Sequence, residues 1–218
     1  MSSGIVVVDY GIGNVFSVCN ALRQIGAEPE LTGELSAIRS ADRVILPGVG
    51  AFAHAMDALN SRGISDALRD FVATGRPFLG ICIGMQVLMQ RSTEFGLTDG
   101  LGFFEGTVDR IDATGPDGTV LRVPHIGWGE VVPAADVTAE AWKDSLVGGS
   151  GGNAREFYFV HSYHALPTRA SDRHAVVNYG GNSVTAAVRR DNILGVQFHP
   201  ERSGLAGLNL LQRFVSSG

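Results

Sequence analysis

The first half of the chain alternates short, wholly apolar runs with stripes of helical period, and this alternation constrains the fold more than any other feature. Ile5-Val6-Val7-Val8 has no polar position on either side; residues 43–46 are apolar after Arg43, and residues 77–81 are apolar throughout. A strand with one wet face alternates apolar and polar residues; a strand covered on both faces reads as a continuous apolar run. Val15, Val18, Cys19, Leu22 and Ile25 mark one face of a helix after the first run. Ile64, Ala67, Leu68, Phe71 and Val72 mark another before the third, and residues 85–90 suggest a helix after it. Strand and helix in turn predict an α/β fold with a mostly parallel sheet. The second half changes character. Strands are expected at 107–111, 120–123, 156–160, 175–178, 184–188 and 193–198, with little helix before 205–215. This half reads as a strand-rich extension of the same unit, so residues 1–218 are expected to form a single domain. Gly-Gly-Ser-Gly-Gly at 148–152 is expected to be a flexible loop.

A chain of 218 residues with 44 % hydrophobic content can bury a large core without disulfide or metal staples. Net charge is −5 and no Lys/Arg run occurs, which disfavours a nucleic-acid partner and a basic membrane-surface helix. The apolar run at the N-terminus lacks a basic flank and is too short for a signal peptide or a membrane span. Two cysteines, Cys19 and Cys82, do not make a disulfide framework, so a reducing, cytoplasmic location is expected. No Cys/His spacing suits a metal, and neither metal nor organic cofactor is expected. Gly11 and Gly13 are followed by Phe16 where a dinucleotide fingerprint needs glycine.

Gly80-Ile81-Cys82-Ile83-Gly84 lies between an apolar strand and a helical pattern. A cysteine without context is most often a core residue. Two flanking glycines at a strand–helix junction reverse that preference, because a nucleophile elbow crowds its backbone on both sides. The turn would hold Cys82 at the C-terminal edge of the sheet and at a helix N-terminus, which favours thiolate. Cys19, on the apolar face of a helix, reads as core.

A nucleophilic cysteine needs a base, and the base needs a group to fix its tautomer. His199-Pro200-Glu201 ends the last apolar strand. An extended chain projects positions two apart to one side, and a residue before proline is biased toward extension, so imidazole and carboxylate can meet. A His-x-Glu pair alone is usually an exposed pair at a loop entrance; the elbow is what gives this one weight. Pro47-Gly48-Val49-Gly50 follows another strand, and backbone N–H groups of Val49 and Gly50, with that of Ile83, can form an oxyanion hole.

Gly80-Ile81-Cys82-Ile83-Gly84-Met85-Gln86, taken with His199-Pro200-Glu201, resembles the class I (triad-type) glutamine amidotransferases. The resemblance spans nearly the whole chain through Asp9-Tyr10-Gly11-Ile12-Gly13-Asn14, Pro47-Gly48-Val49-Gly50, Pro124-His125-Ile126-Gly127-Trp128 and Tyr158-Phe159-Val160-His161-Ser162-Tyr163. It implies a flavodoxin-like fold and a glutaminase that supplies ammonia to a (β/α)8-barrel cyclase in a heterodimer. It further implies that Gln86 and Glu94 hold the substrate amide and amino group. His161, Ser162 and Tyr163 would line the glutamine site, and Asn14, Trp128 and Tyr158 would lie near the cyclase. His164 departs from relatives that carry arginine there, and the 148–152 loop looks longer than usual. The same three groups would equally serve a glutaminase feeding pyridoxal phosphate or anthranilate synthesis. Two further readings share the fold: a non-catalytic regulatory subunit, which the intact triad argues against, and a cysteine hydrolase built on the same elbow.

Overall fold

A computed structural model describes residues 4–148 and 155–217. The first half follows the apolar pattern. β1 (Ile5–Val8), α1 (Val15–Gln24), β2 (Pro29–Thr32), α2 (Leu35–Ser40), β3 (Arg43–Gly48), α3 (Phe52–Ser61), α4 (Ile64–Ala73), β4 (Phe78–Cys82) and α5 (Ile83–Gln86) succeed one another. Every residue of β1 and β4 is buried. β2 escapes the pattern because it is an edge strand: none of its residues is buried, and it starts with a proline, which an edge tolerates.

The second half adds β5 (Met89–Ser92), β6 (Thr98–Asp99), β7 (Phe104–Arg110), β8 (His125–Pro133), α6 (Ala139–Asp144), β9 (Glu156–His161), β10 (Tyr163–Pro167), β11 (Arg173–Tyr179), β12 (Asn182–Arg190), β13 (Ile193–Val196) and α7 (Gly204–Ser216). Nine strands form one sheet in the order β2-β1-β3-β4-β13-β12-β11-β8-β9. Its first five strands are parallel, in the flavodoxin-like order, and the remainder pair antiparallel. The strand-rich extension therefore continues the parallel sheet. A second sheet, β10-β7-β5-β6, lies beside it, and Ser162 alone separates β9 of the first from β10 of the second. One continuous apolar core runs through both halves, from Val7 and Ile45 to Phe104 and Phe157.

Two expected elements differ. The helix expected at 85–90 is a single turn that ends at Gln86, and the chain then extends as β5. Pairing of β5 with β6 and β7 outweighs local helix preference there. Residues 120–123 form no strand. Val120 makes one isolated bridge to Thr114 and is 84 % exposed, so it has no ladder to join. Of the expected 148–152 loop, residues 149–152 lie outside the described residues.

Register positions the site. β3 and β13 both run parallel to β4, with Gly48 opposite Cys82 and Val196 opposite Ile81. The chain leaving β3, the elbow leaving β4 and the segment leaving β13 therefore emerge side by side at one edge of the sheet.

Candidate active site

Cys82 is 5 % exposed and has φ 55° and ψ −112°, a conformation that costs a non-glycine residue energy and clusters at functional sites. The turn is tight enough to fix its neighbours. A Cβ on Gly80 would lie 2.6 Å from the Gly84 carbonyl oxygen, and one on Gly84 would lie 1.8 Å from the Leu46 oxygen. The two glycines that mark the elbow in the sequence are thus the ones its packing requires.

His199 has extended backbone, φ −102° and ψ 96°, and its Nδ1 lies 2.8 Å from Glu201 Oε1. The expected pairing is present, but Glu201 sits in a 3-10 turn over Pro200–Arg202 and not in a continued strand. The Glu201 side chain is 1 % exposed, behind the imidazole. Burial opposes charging His199, yet Cys82 on one side and Glu201 on the other outweigh it and raise its pKa to about 10. At neutral pH the ring is an imidazolium held between the Cys82 sulfur and the Glu201 carboxyl group. Its Nδ1 is committed to Glu201, which leaves Nε2 as the nitrogen for the Cys82 side. A ring held through one nitrogen can pass a proton through the other.

A cavity of about 670 Å³ opens over this cluster, where the two sheets meet. Cys82, Ile83, Gln86, Glu94, Val49, Gly50 and His199 line it, with His161, Ser162 and Tyr163 opposite. Every expected catalytic, oxyanion-hole and substrate residue except Glu201 reaches its wall. Gly50 has φ 91°, outside the comfortable range of other residues. Glu94 Oε2 accepts from the backbone N–H of Phe52, 2.7 Å away at the start of α3. His161 Nδ1 lies 2.8 Å from the Tyr163 carbonyl oxygen. Burial, with the neighbouring His125, His164 and His199, lowers the His161 pKa to about 3, so the ring is neutral and its Nδ1 carries the proton that it donates to that carbonyl.

The expected interface residues lie apart from the cavity. Asn14 begins α1 and its Oδ1 accepts from Ser17 Oγ at 2.8 Å. Trp128 is 55 % exposed on β8, edge-on to Tyr158 with ring centroids 6.1 Å apart. The Arg202 guanidinium covers the Tyr158 ring at 4.4 Å.

Sequence reasoning missed several neighbours of the site. Phe95 and Arg110 line the cavity, and Phe95 is 89 % exposed with φ 54°. Gln197 is fully buried, with Nε2 3.6 Å from Cys82 Sγ. Its position two residues before His199, directly after the strand that neighbours the elbow, is the signal that could have found it. The Tyr10 hydroxyl is buried without a partner, and burial together with Cys82 holds the phenol well above its usual range.

The sequence profile described as glutamine amidotransferase class-I matches residues 6–217. The imidazole glycerol phosphate synthase subunit HisH 1 of Legionella pneumophila (strain Lens) is 39 % identical over 213 residues, 98 % of this chain and 99 % of that protein. The chloroplastic imidazole glycerol phosphate synthase hisHF of Arabidopsis thaliana is 44 % identical over 98 % of this chain, which spans only 34 % of that longer protein. A solved glutamine amidotransferase shares the fold, with TM-score 0.67 over 98 % of this chain and 99 % of its own at 18 % identity.

Proposed function

The chain belongs to the class-I glutamine amidotransferase family, and from that premise we propose that it is the glutaminase subunit of an imidazole glycerol phosphate synthase. The observation that carries the reading is the meeting, in one cavity, of a cysteine on a strained elbow and an imidazole already raised to the imidazolium by that cysteine and a buried carboxylate.

In this reading Cys82 Sγ attacks the carboxamide carbon of glutamine. The carbonyl oxygen takes up the negative charge and is met by backbone N–H groups of Val49, Gly50 and Ile83. Collapse of the tetrahedral adduct breaks the C–N bond while His199 Nε2 gives its proton to the departing nitrogen. Ammonia leaves and a glutamyl thioester remains on Cys82. The now neutral His199 takes a proton from water, the hydroxide attacks the thioester, and glutamate departs with the thiolate–imidazolium pair restored. Glu201 keeps the ring in the tautomer that presents Nε2 to the reacting atoms. Glu94 and Arg110 put one negative and one positive group on the cavity wall, which suits the ammonium and carboxylate of a free amino acid. Gln86, His161, Ser162 and Tyr163 complete the wall around the carboxamide.

The ammonia passes to a cyclase subunit, which we assign as a (β/α)8 barrel joined to this chain in a heterodimer, with Asn14, Trp128 and Tyr158 on the shared face. Residues 1–218 act as a single cytoplasmic domain, with neither a nucleic acid nor a membrane as partner. Among the described residues no helix is long and apolar enough to cross a membrane. The test is glutamate release by Cys82→Ala in the presence of the cyclase. The expected result is complete loss with the fold retained; normal turnover would remove Cys82 as nucleophile.

A further inference from the structure

We propose that Gln197 is a positioning residue for Cys82: its side-chain amide keeps an N–H donor on the sulfur, and Gln86 and the Tyr163 carbonyl lock that amide in place. The inference rests on Cys82 being the nucleophile.

Three contacts form a chain. Gln86 Nε2 is 3.0 Å from the Tyr163 carbonyl oxygen, the same nitrogen is 3.0 Å from Gln197 Oε1, and Gln197 Nε2 is 3.6 Å from Cys82 Sγ. The two ends of a side-chain amide have nearly the same shape, and their hydrogen-bond partners decide which is which. Here the decision is forced. A backbone carbonyl can only accept, so the Gln86 atom facing it is the nitrogen. That nitrogen also faces Gln197, so the Gln197 atom there is the oxygen. The atom left for the sulfur is then the Gln197 nitrogen. A main-chain carbonyl at the break between the two sheets thereby dictates that Cys82 meets a donor.

The direction matters because a thiolate is a strong acceptor and a thiol a weak one. A donor held at the sulfur favours the ionised form and fixes the side chain that attacks. Gln197 can hold it rigidly: it is fully buried, and its backbone N–H is tied to Ala186 at 2.8 Å. It does not line the cavity, so it reaches substrate only through the two side chains it touches, Cys82 and Gln86. Gln86, with both N–H groups engaged, has only its Oε1 free, an acceptor for a carboxamide N–H that the product carboxylate lacks.

The test uses the full chain with Cys19→Ala, which leaves Cys82 as the sole thiol. Alkylation of Cys82 by iodoacetamide reads the ionised sulfur directly, with no substrate present. Gln197→Met keeps the bulk and removes the donor; it should slow alkylation about tenfold near neutral pH and lower kcat with the cyclase by a similar factor, with KM for glutamine little changed. Gln86→Met releases the amide, and should slow alkylation in the same direction while raising KM. The double variant should alkylate no more slowly than Gln197→Met alone. A folded Gln197→Met that alkylates at the parent rate overturns the proposal. If that variant does not fold, an unchanged alkylation rate in Gln86→Met does so. Failure of the underlying reading is separate, since it would appear as glutamate release by Cys82→Ala.

Discussion

In the proposed reaction the chemistry turns on His199. Its ring is buried, which by itself would hold it neutral, and it is charged because Cys82 and Glu201 flank it. The sign of the pH response follows. A raised pKa of about 10 keeps the imidazolium through neutral pH, and the proton that the leaving nitrogen needs is lost only as pH rises through that value. Turnover should therefore show no inflection near the ordinary histidine range and should fall on the alkaline side, as a property of the Cys82–His199 pair. The group's contribution to folding has the same sign: full below about pH 6.5, fading as pH climbs through about 10. Glu201→Gln keeps the shape and removes one of the interactions that raise the ring. Its pH–rate profile should lose the alkaline limb at a lower pH, and turnover should fall about a hundredfold or more with glutamine binding little changed. An unmoved limb would argue against the orienting and charging role of Glu201. The glycine-flanked cysteine and the His-Pro-Glu are legible in the sequence because each is a local pattern with a mechanical cause. Phe95 and Arg110 are not, because nothing local distinguishes them; they matter only through neighbours brought from distant elements. Gln197 is marked only by its place two residues before His199.

The elbow depends on how closely β3 and α5 approach. A methyl on Gly84 would fall on the Leu46 carbonyl, inside any real contact, and backbone cannot yield as a side chain can. Gly84→Ala should cost about 3 kcal/mol or more, read as a fall in thermal midpoint, with loss of glutaminase activity. Gly75→Ala is the informative comparison. Gly75 has φ 77° with open space around it, so only backbone conformation is strained and about 1–2 kcal/mol is expected. Equal losses in the two variants would contradict the close packing of the elbow. Elements are visible in the sequence to the extent that their burial is two-sided. β1, β3, β4 and β13 are continuous apolar runs because both faces are covered, and the structure places strands at each of them. β8 is invisible for the opposite reason. Gly129 faces inward, where a Cβ would meet Val177 at 2.6 Å, while Ile126 and Trp128 face out at 60 % and 55 % exposure. That reverses the pattern by which a strand with one covered face is recognised. β5 reads as helix from its own residues because its pairing partners come from later in the chain.

At the scale of the molecule, the reversed face of β8 belongs with other exposed apolar groups. Phe16 on α1 is 72 % exposed and Leu205 on α7 is 75 % exposed. The Pro200–Arg202 turn, which carries Glu201, packs against α1, α7 and β9, and β9 is the partner strand of β8, so the elements bearing these groups adjoin the His199–Glu201 pair. Large apolar side chains clustered on a surface mark a place where another protein sits. A cyclase on that face would lie close behind the pair that releases the ammonia, which bulk water would otherwise protonate, removing its nucleophilic lone pair. The whole-molecule layout is legible in part: the α/β class and the strand-rich extension can be read, whereas the placing of the site between two sheets arises from the single-residue break at Ser162, which no periodicity signals.

The most direct measurement is glutamate release from glutamine by this chain, alone and with the histidine-pathway cyclase carrying its nucleotide ligand. The account predicts slow release alone and strong stimulation by the liganded cyclase, abolished by Cys82→Ala. Release that is absent in both conditions, or present and indifferent to the cyclase, would contradict it.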